Sequence, residues 1–244
     1  MEVLSANCLR SVATCLGGCY HTGQFRATCS RVRIATPAAP FKSDKALQVI
    51  RHCCREGDVL TIIQHFSNYM GIFLSDALNW AGRYRHVEMV PRLLARFRPA
   101  HPIYFLKGTA RSGDTDQFHQ ALEMFREYTD KGYGTHIKNF FSCLEYEAGR
   151  SGNISMCEEV LKVTKSVDLK HFLTGAARSG RASLCETLIS RGATCFSDMV
   201  LYATFKDSVE VFDMAAKHLG LDLCLQICNP VLKSKLIKHI AELK

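Results

Sequence analysis

Apolar residues recur along most of this chain at spacings of three and four, in short stretches separated by abrupt polar turns. The stretch "GAARSGRASLCETLISRGAT", residues 175–194, is the clearest case. After a turn at Gly180, Leu184/Cys185 and Leu188/Ile189 form two apolar pairs four residues apart. Residues four apart share one face of an α-helix, so the pairs predict a short amphipathic helix after the turn. Weaker versions occur at 107–122, "KGTARSGDTDQFHQAL", and at 148–161, "AGRSGNISMCEEVL".

Taking Gly180 as an anchor, Gly57, Gly113 and Gly152 occupy the same column, and Arg85 and Asp207 complete it without glycine. Successive anchors are 28, 28, 39, 28 and 27 residues apart, with one insertion of about eleven residues near 123–140. Three residues before each anchor stands a small or short side chain: Cys54, Gly82, Ala110, Gly149, Ala177 or Thr204. A small residue there lets one helix approach its neighbour closely. Apolar pairs follow four and five residues after the anchor (Met89/Val90, Met156/Cys157, Val211/Phe212), and again at eight and nine (Leu93/Leu94, Ala121/Leu122, Val160/Leu161, Ala215/Ala216). Glycine at the anchor predicts a left-handed helix end, and Asp207 is placed to start the next helix as its N-cap.

The expected fold is all-α: a solenoid of about six helix–turn–helix units, each with two helices of about ten residues, spanning 44–219. A fixed period of 20–50 residues is the signature of such arrays, because one unit cannot bury its apolar stripe alone. Residues 1–43 read as a basic, cysteine-rich tail that is poorly ordered or loosely docked. Residues 220–244, "LDLCLQICNPVLKSKLIKHIAELK" from Leu221 onward, read as capping helices that close the open end.

The stretch "AARSGRASLCETLISRGA" resembles an ankyrin repeat in its small residues, apolar stripe and Gly-Ala ending, and "AGRYRHVEMVPRLL" is also similar. No unit carries the T-P-L-H signature, and the spacing is 28 rather than 33, so the likeness is to a hairpin-poor, degenerate form. Arrays of this style are similar to helical repeat proteins of large DNA viruses, including the multigene families of African swine fever virus. The resemblance implies a protein-binding module, and the viral comparison implies host signalling or innate-defence partners.

Composition narrows the picture. Of 244 residues, 47% are hydrophobic and 22% charged, which are values of a globular chain. No apolar run approaches the 18 residues of a membrane span, so no membrane association is expected. Most later cysteines (Cys143, Cys157, Cys185, Cys224) fall at apolar positions of helical patterns, where a reduced thiol packs as a small hydrophobe. With no clear secretory signal, the expected location is the cytoplasm. The Arg- and Ser-rich, acid-poor start raises a mitochondrial presequence as the alternative.

The net charge of +8 is uneven. The segment 79–101 holds Arg83, Arg85, Arg92, Arg96 and Arg98 against Glu88 alone, whereas 104–161 has six basic and nine acidic residues. Arginine suits bidentate and stacked contacts, so these five are the candidate partner-binding residues. The bland alternative is a solvated face. Cys15, Cys19, His21 and Cys29 supply four ligands of the type zinc prefers, but without paired C-x2-C knuckles, and no cofactor is implied. "RHCCRE" at 51–56 places His52 beside two thiols inside a predicted helix, and no phosphate loop or hydrolase motif is present. The expected function is therefore non-catalytic protein binding by a monomer. The alternative is nucleic-acid binding through the basic unit around 83–98, which lacks a known reader motif.

Overall fold

The computed structural model describes residues 43–66, 70–97, 102–130, 138–203 and 208–227, with positions 233, 234 and 237. Among the described residues the protein is all-helical. In chain order the helices are α1 (Ser43–Glu56), α2 (Val59–Phe66), α3 (Met70–Arg83), α4 (Met89–Arg96), α5 (Ile103–Ser112), α6 (Thr115–Tyr128) and α7 (Lys138–Ser151), followed by α8 (Ile154–Thr164), α9 (Lys170–Arg178), α10 (Ala182–Ser190), α11 (Phe196–Ala203), α12 (Val209–Leu219) and α13 (Leu221–Ile227). The chain divides into two compact units, Met1–Phe105 and Leu106–Lys244, with the division inside α5.

Five of the turns between paired helices share one backbone conformation at the anchor. Gly57, Gly113, Gly152 and Gly180 have φ of 72°, 76°, 80° and 65°, and Arg85 has φ of 69°. Asp207 lies outside the described residues. In four turns the residue after the anchor donates its amide to the carbonyl four before it: Asp58 to Cys53, His86 to Ala81, Arg181 to Ala176 and Ser208 to Ala203. This bond needs the left-handed residue to turn the chain back on the helix end. An L side chain pays a steric penalty in that conformation, so Arg85→Gly is expected to stabilise the fold by roughly 0.5–1 kcal/mol. A shift of the urea midpoint to higher concentration checks this.

The residue after the anchor also starts the second helix. Asp58 accepts from the Thr61 amide at 3.0 Å, Asp114 from Gln117 at 3.1 Å and Asn153 from Ser155 at 3.0 Å. Ser208 accepts from Val211, so the cap expected at Asp207 is supplied one position later. The same position reaches back to the preceding turn. His86 Nε2 lies 2.9 Å from the Arg55 carbonyl oxygen, and Asn153 Nδ2 donates to the Gly113 carbonyl at 2.8 Å. A Cβ on Gly57 would come within 2.9 Å of the His86 ring, and one on Gly152 within 2.8 Å of the Arg181 side chain. Glycine therefore serves twice at these turns, for its backbone conformation and for the space it leaves.

In the first unit α1 packs on α3 and α2 on α4, while α1 pairs with α2 and α3 with α4. In the second unit α7 packs on α9 and α9 on α11, with α6 on α8 and α10 on α12. First helices thus meet first helices, and second helices meet second helices. In α4, α8, α10 and α12 the stripe is buried at four, five and eight residues past the anchor, as in Met89, Val90 and Leu93, or Leu184, Cys185 and Leu188. The ninth position is only half-buried in Leu94, Leu161, Ile189 and Ala216. Part of the insertion near 123–140 lengthens α6, which runs on to Tyr128. At the far end α13 packs against α11 and α12 and buries Cys224.

The α7–α9 pair is in backbone contact. A Cβ on Gly149 would stand 2.1 Å from the Phe172 carbonyl oxygen, and one on Gly175 would stand 2.1 Å from that of Tyr146. Seven residues before the anchor, the first helices carry Ile50, Leu78, Leu106, Leu173 and Val200, each fully buried. Glu145 occupies that position in α7 and is 3% exposed.

Candidate functional site

The five arginines of 79–101 do not form one array. Arg83 ends α3, with its guanidinium 5.8 Å from the Tyr84 ring centre. Arg85 is exposed at the left-handed turn. Arg92 and Arg96, one helical turn apart, stand on the exposed face of α4, away from its buried Met89, Val90 and Leu93. Arg98 lies outside the described residues, as do Cys15, Cys19, His21 and Cys29. Among the described residues no cluster of His, Cys, Asp or Glu has the geometry of a metal site. No described helix is long and apolar enough to cross a membrane.

"RHCCRE" borders an open cleft of about 370 Å³ lined by Gln48, Arg51, His52, Arg55 and Tyr84. Its cations are engaged by neighbours. Arg51 Nε donates to the Tyr84 hydroxyl at 3.2 Å, and Arg55 Nε lies 2.9 Å from Glu56. Burial lowers the His52 pKa below its ordinary value. Cys53 and Cys54 both point into the core, where burial pushes the Cys53 thiol up to about 12 and Cys54 well above its usual range. The Cys54 thiol donates to the Ala77 carbonyl across the α1–α3 contact. Neither supplies the thiolate on which cysteine nucleophiles depend.

Burial likewise raises Cys157 and Cys185 to about 12. Cys143 departs from the expected pattern: it is exposed. On α7 the buried positions are Phe140, Leu144, Glu145, Ala148 and Gly149, and Cys143 lies off that face. Iodoacetamide applied to the native protein is expected to alkylate Cys143 at least tenfold faster than Cys53, Cys157 or Cys185. Peptide mass mapping over time checks the order.

A different arginine set emerges from the register of the turns. Two residues before the anchor stand Arg55, Arg83, Arg111, Arg150 and Arg178, each in the last turn of a first helix. A cation there complements the partial negative charge of the helix end. In the second unit three of them do more. Arg111 of α5 and Arg150 of α7 both pair with Glu147 at 3.3 Å, with side chains 21% and 18% exposed. Arg150 also lies over the Tyr146 ring, 5.6 Å from its centre. Arg178 of α9 is 6.0 Å from the rings of both Tyr146 and Tyr202, which lie 6.1 Å apart.

These contacts join α5, α7, α9 and α11 in one continuous row. At its centre the Arg150 Nε–H is enclosed and meets no hydrogen-bond partner among the described residues. The Tyr146 hydroxyl is enclosed too, beside the Arg178 guanidinium. Burial holds the Tyr146 phenol above its ordinary pKa, against the pull of Arg178 and Arg150. The row contains three guanidiniums and one carboxylate, held in place by aromatic faces. It can present fixed cationic donors to an anionic ligand.

No protein-family model, curated protein or solved structure matches this chain. The chemistry of the surface therefore carries the functional reading.

Proposed function

We propose that the protein is a non-catalytic protein–protein interaction module, built as a stack of about six ankyrin-like, hairpin-poor helix pairs and acting as a cytoplasmic monomer. Support for the stacked architecture comes from the shared left-handed turn at Gly57, Arg85, Gly113, Gly152 and Gly180. The regular packing of first helices on first helices, within each unit, points the same way. Stacked helix pairs offer long semi-rigid surfaces that suit protein segments.

The observation that carries the binding reading is the arginine–tyrosine row along α5, α7, α9 and α11. A guanidinium packed on a ring and paired with a carboxylate has already lost much of its rotamer freedom. A ligand that meets it loses less entropy on binding. The style of the array fits a viral protein directed at host signalling or innate-defence proteins. The test is affinity capture from cytosolic extract with the full chain as bait, quantified against an unrelated bait of equal charge. Specific enrichment of one or a few proteins is expected, and enrichment of none would sink the reading.

A further inference from the structure

We propose that the cleft between α1 and the end of α3 binds a phosphate monoester, with Arg51 as its anchoring cation and Gln48 and Tyr84 as further donors. The inference goes beyond the protein-binding reading and does not depend on it.

The α1 sequence aligns one wall of the cleft. Gln48, Arg51, His52 and Arg55 stand at spacings of three and four, so they share one face of the helix. Tyr84 lines the cleft from the first position past α3, where its amide donates to the Trp80 carbonyl at 2.9 Å and extends the helical bonding. Arg51 Nε donates to the Tyr84 hydroxyl at 3.2 Å, which orients the guanidinium across the α1–α3 contact.

The donors select an acceptor-only ligand. The bond to Tyr84 uses Arg51 Nε alone, and the two Nη groups of this exposed side chain meet no acceptor among the described residues. The Tyr84 oxygen takes that bond, which leaves its O–H to donate. Gln48 is exposed, and its amide makes no hydrogen bond among the described residues. None of the described lining residues is a carboxylate. Such a set suits an oxyanion.

Charge narrows the oxyanion to a dianion. His52 adds no charge: a guanidinium only donates, so His52 Nδ1, 3.3 Å from Arg55 Nη2, accepts and the ring is neutral. Burial lowers the His52 pKa, in keeping with that. Arg55 is balanced by Glu56 at 2.9 Å. Arg51 has no carboxylate partner among the described residues, and neither has Arg83, whose guanidinium lies 5.8 Å from the Tyr84 ring centre. Two uncompensated cations match a phosphate monoester, which carries about −1.5 to −2 charge at pH 7 and three acceptor oxygens. A carboxylate or a phosphodiester brings only one charge. At about 370 Å³ the cleft has room for the phosphate and the group that bears it. A monoester of this kind comes on a phosphorylated side chain of a protein or on a mononucleotide.

The experiment is isothermal titration calorimetry of the full chain at neutral pH and low salt. Phenyl phosphate represents a phosphorylated aromatic side chain, and adenosine monophosphate represents a mononucleotide. Diphenyl phosphate, a singly charged diester, and benzoate are the controls. At least one monoester is expected to bind about tenfold more tightly than either control. The tighter monoester identifies the source, and equal binding of the two means that the phosphate alone is read. Arg51→Gln should weaken binding by about tenfold, the scale for losing a charged hydrogen bond. Arg51→Lys should fall between, because lysine keeps the charge and loses the paired donors. Tyr84→Phe should weaken binding by a smaller factor. Arg92→Gln, on the exposed face of α4, should leave it unchanged, and circular dichroism confirms that each variant is folded. Binding of a control as tight as that of the monoesters, an Arg51→Gln protein that binds like the wild type, or binding of neither monoester would each overturn the proposal.

Discussion

Gly175→Ala is expected to destabilise the protein by about 2 kcal/mol, although alanine is the better helix former. In an ordinary helix interior the change would gain about 1 kcal/mol. Here the new methyl would stand 2.1 Å from the Tyr146 carbonyl oxygen and 3.1 Å from the Arg150 amide nitrogen. Both are backbone atoms of α7, so no side-chain rotation relieves the clash and the two helices must separate. Overpacking of this kind costs up to about 3 kcal/mol, which outweighs the propensity gain. For a domain of this size the net effect corresponds to a fall of roughly 4–8 °C in Tm. Gly149→Ala meets the Phe172 carbonyl oxygen at the same distance and should behave alike. Once the helices have moved apart, the second methyl finds more room, so the double variant should lose less than the sum. A rise in Tm for Gly175→Ala would mean that α7 and α9 are not in backbone contact.

Glu145→Leu is expected to stabilise the protein by about 2 kcal/mol. The corresponding positions hold Ile50, Leu78, Leu106, Leu173 and Val200, and each is fully buried. Glu145 places a carboxyl group at that position of α7 at 3% exposure. Leucine would put apolar surface there instead, and fully burying such a side chain is worth about 1.5–3 kcal/mol. Urea denaturation of the full chain, with the slope unchanged and the midpoint raised, is the expected readout. A lowered midpoint would show that α7 depends on an interaction made by this carboxyl.

Much of the local architecture was legible because it is written in backbone terms. Gly57, Gly113, Gly152 and Gly180 mark left-handed turns that other residues adopt at a cost, and Arg85 holds the same conformation in the same register. The capping role of Asp58, Asp114, Asn153 and Ser208 was equally available one column later. A cap at Asp207 would sit on the anchor itself, one residue before the Ser208 that starts the helix. The arginine column was also present in "CREG", "GRYR", "ARSG" and "GRSG". Counting charge by segment pointed instead to 79–101, where arginines are dense. Density along the chain is a poor guide when side chains point to different faces. Cys143 shows the same limit, since one position along α7 separates a buried face from an exposed one.

By itself, then, the sequence determined the helices, their turns and the faces they bury, because these follow from local backbone preference and the 3.6-residue period. The small residue three before the anchor even announced a close approach. Only the tertiary structure decided what is approached. It set Gly149 and Gly175 reciprocally against the partner helix's carbonyls, and it let Arg150 and Arg178 share the ring of Tyr146. It also gave Glu147 to two arginines from different helices. Such pairings depend on the distance and rotation between helices, which no periodicity within one helix can encode.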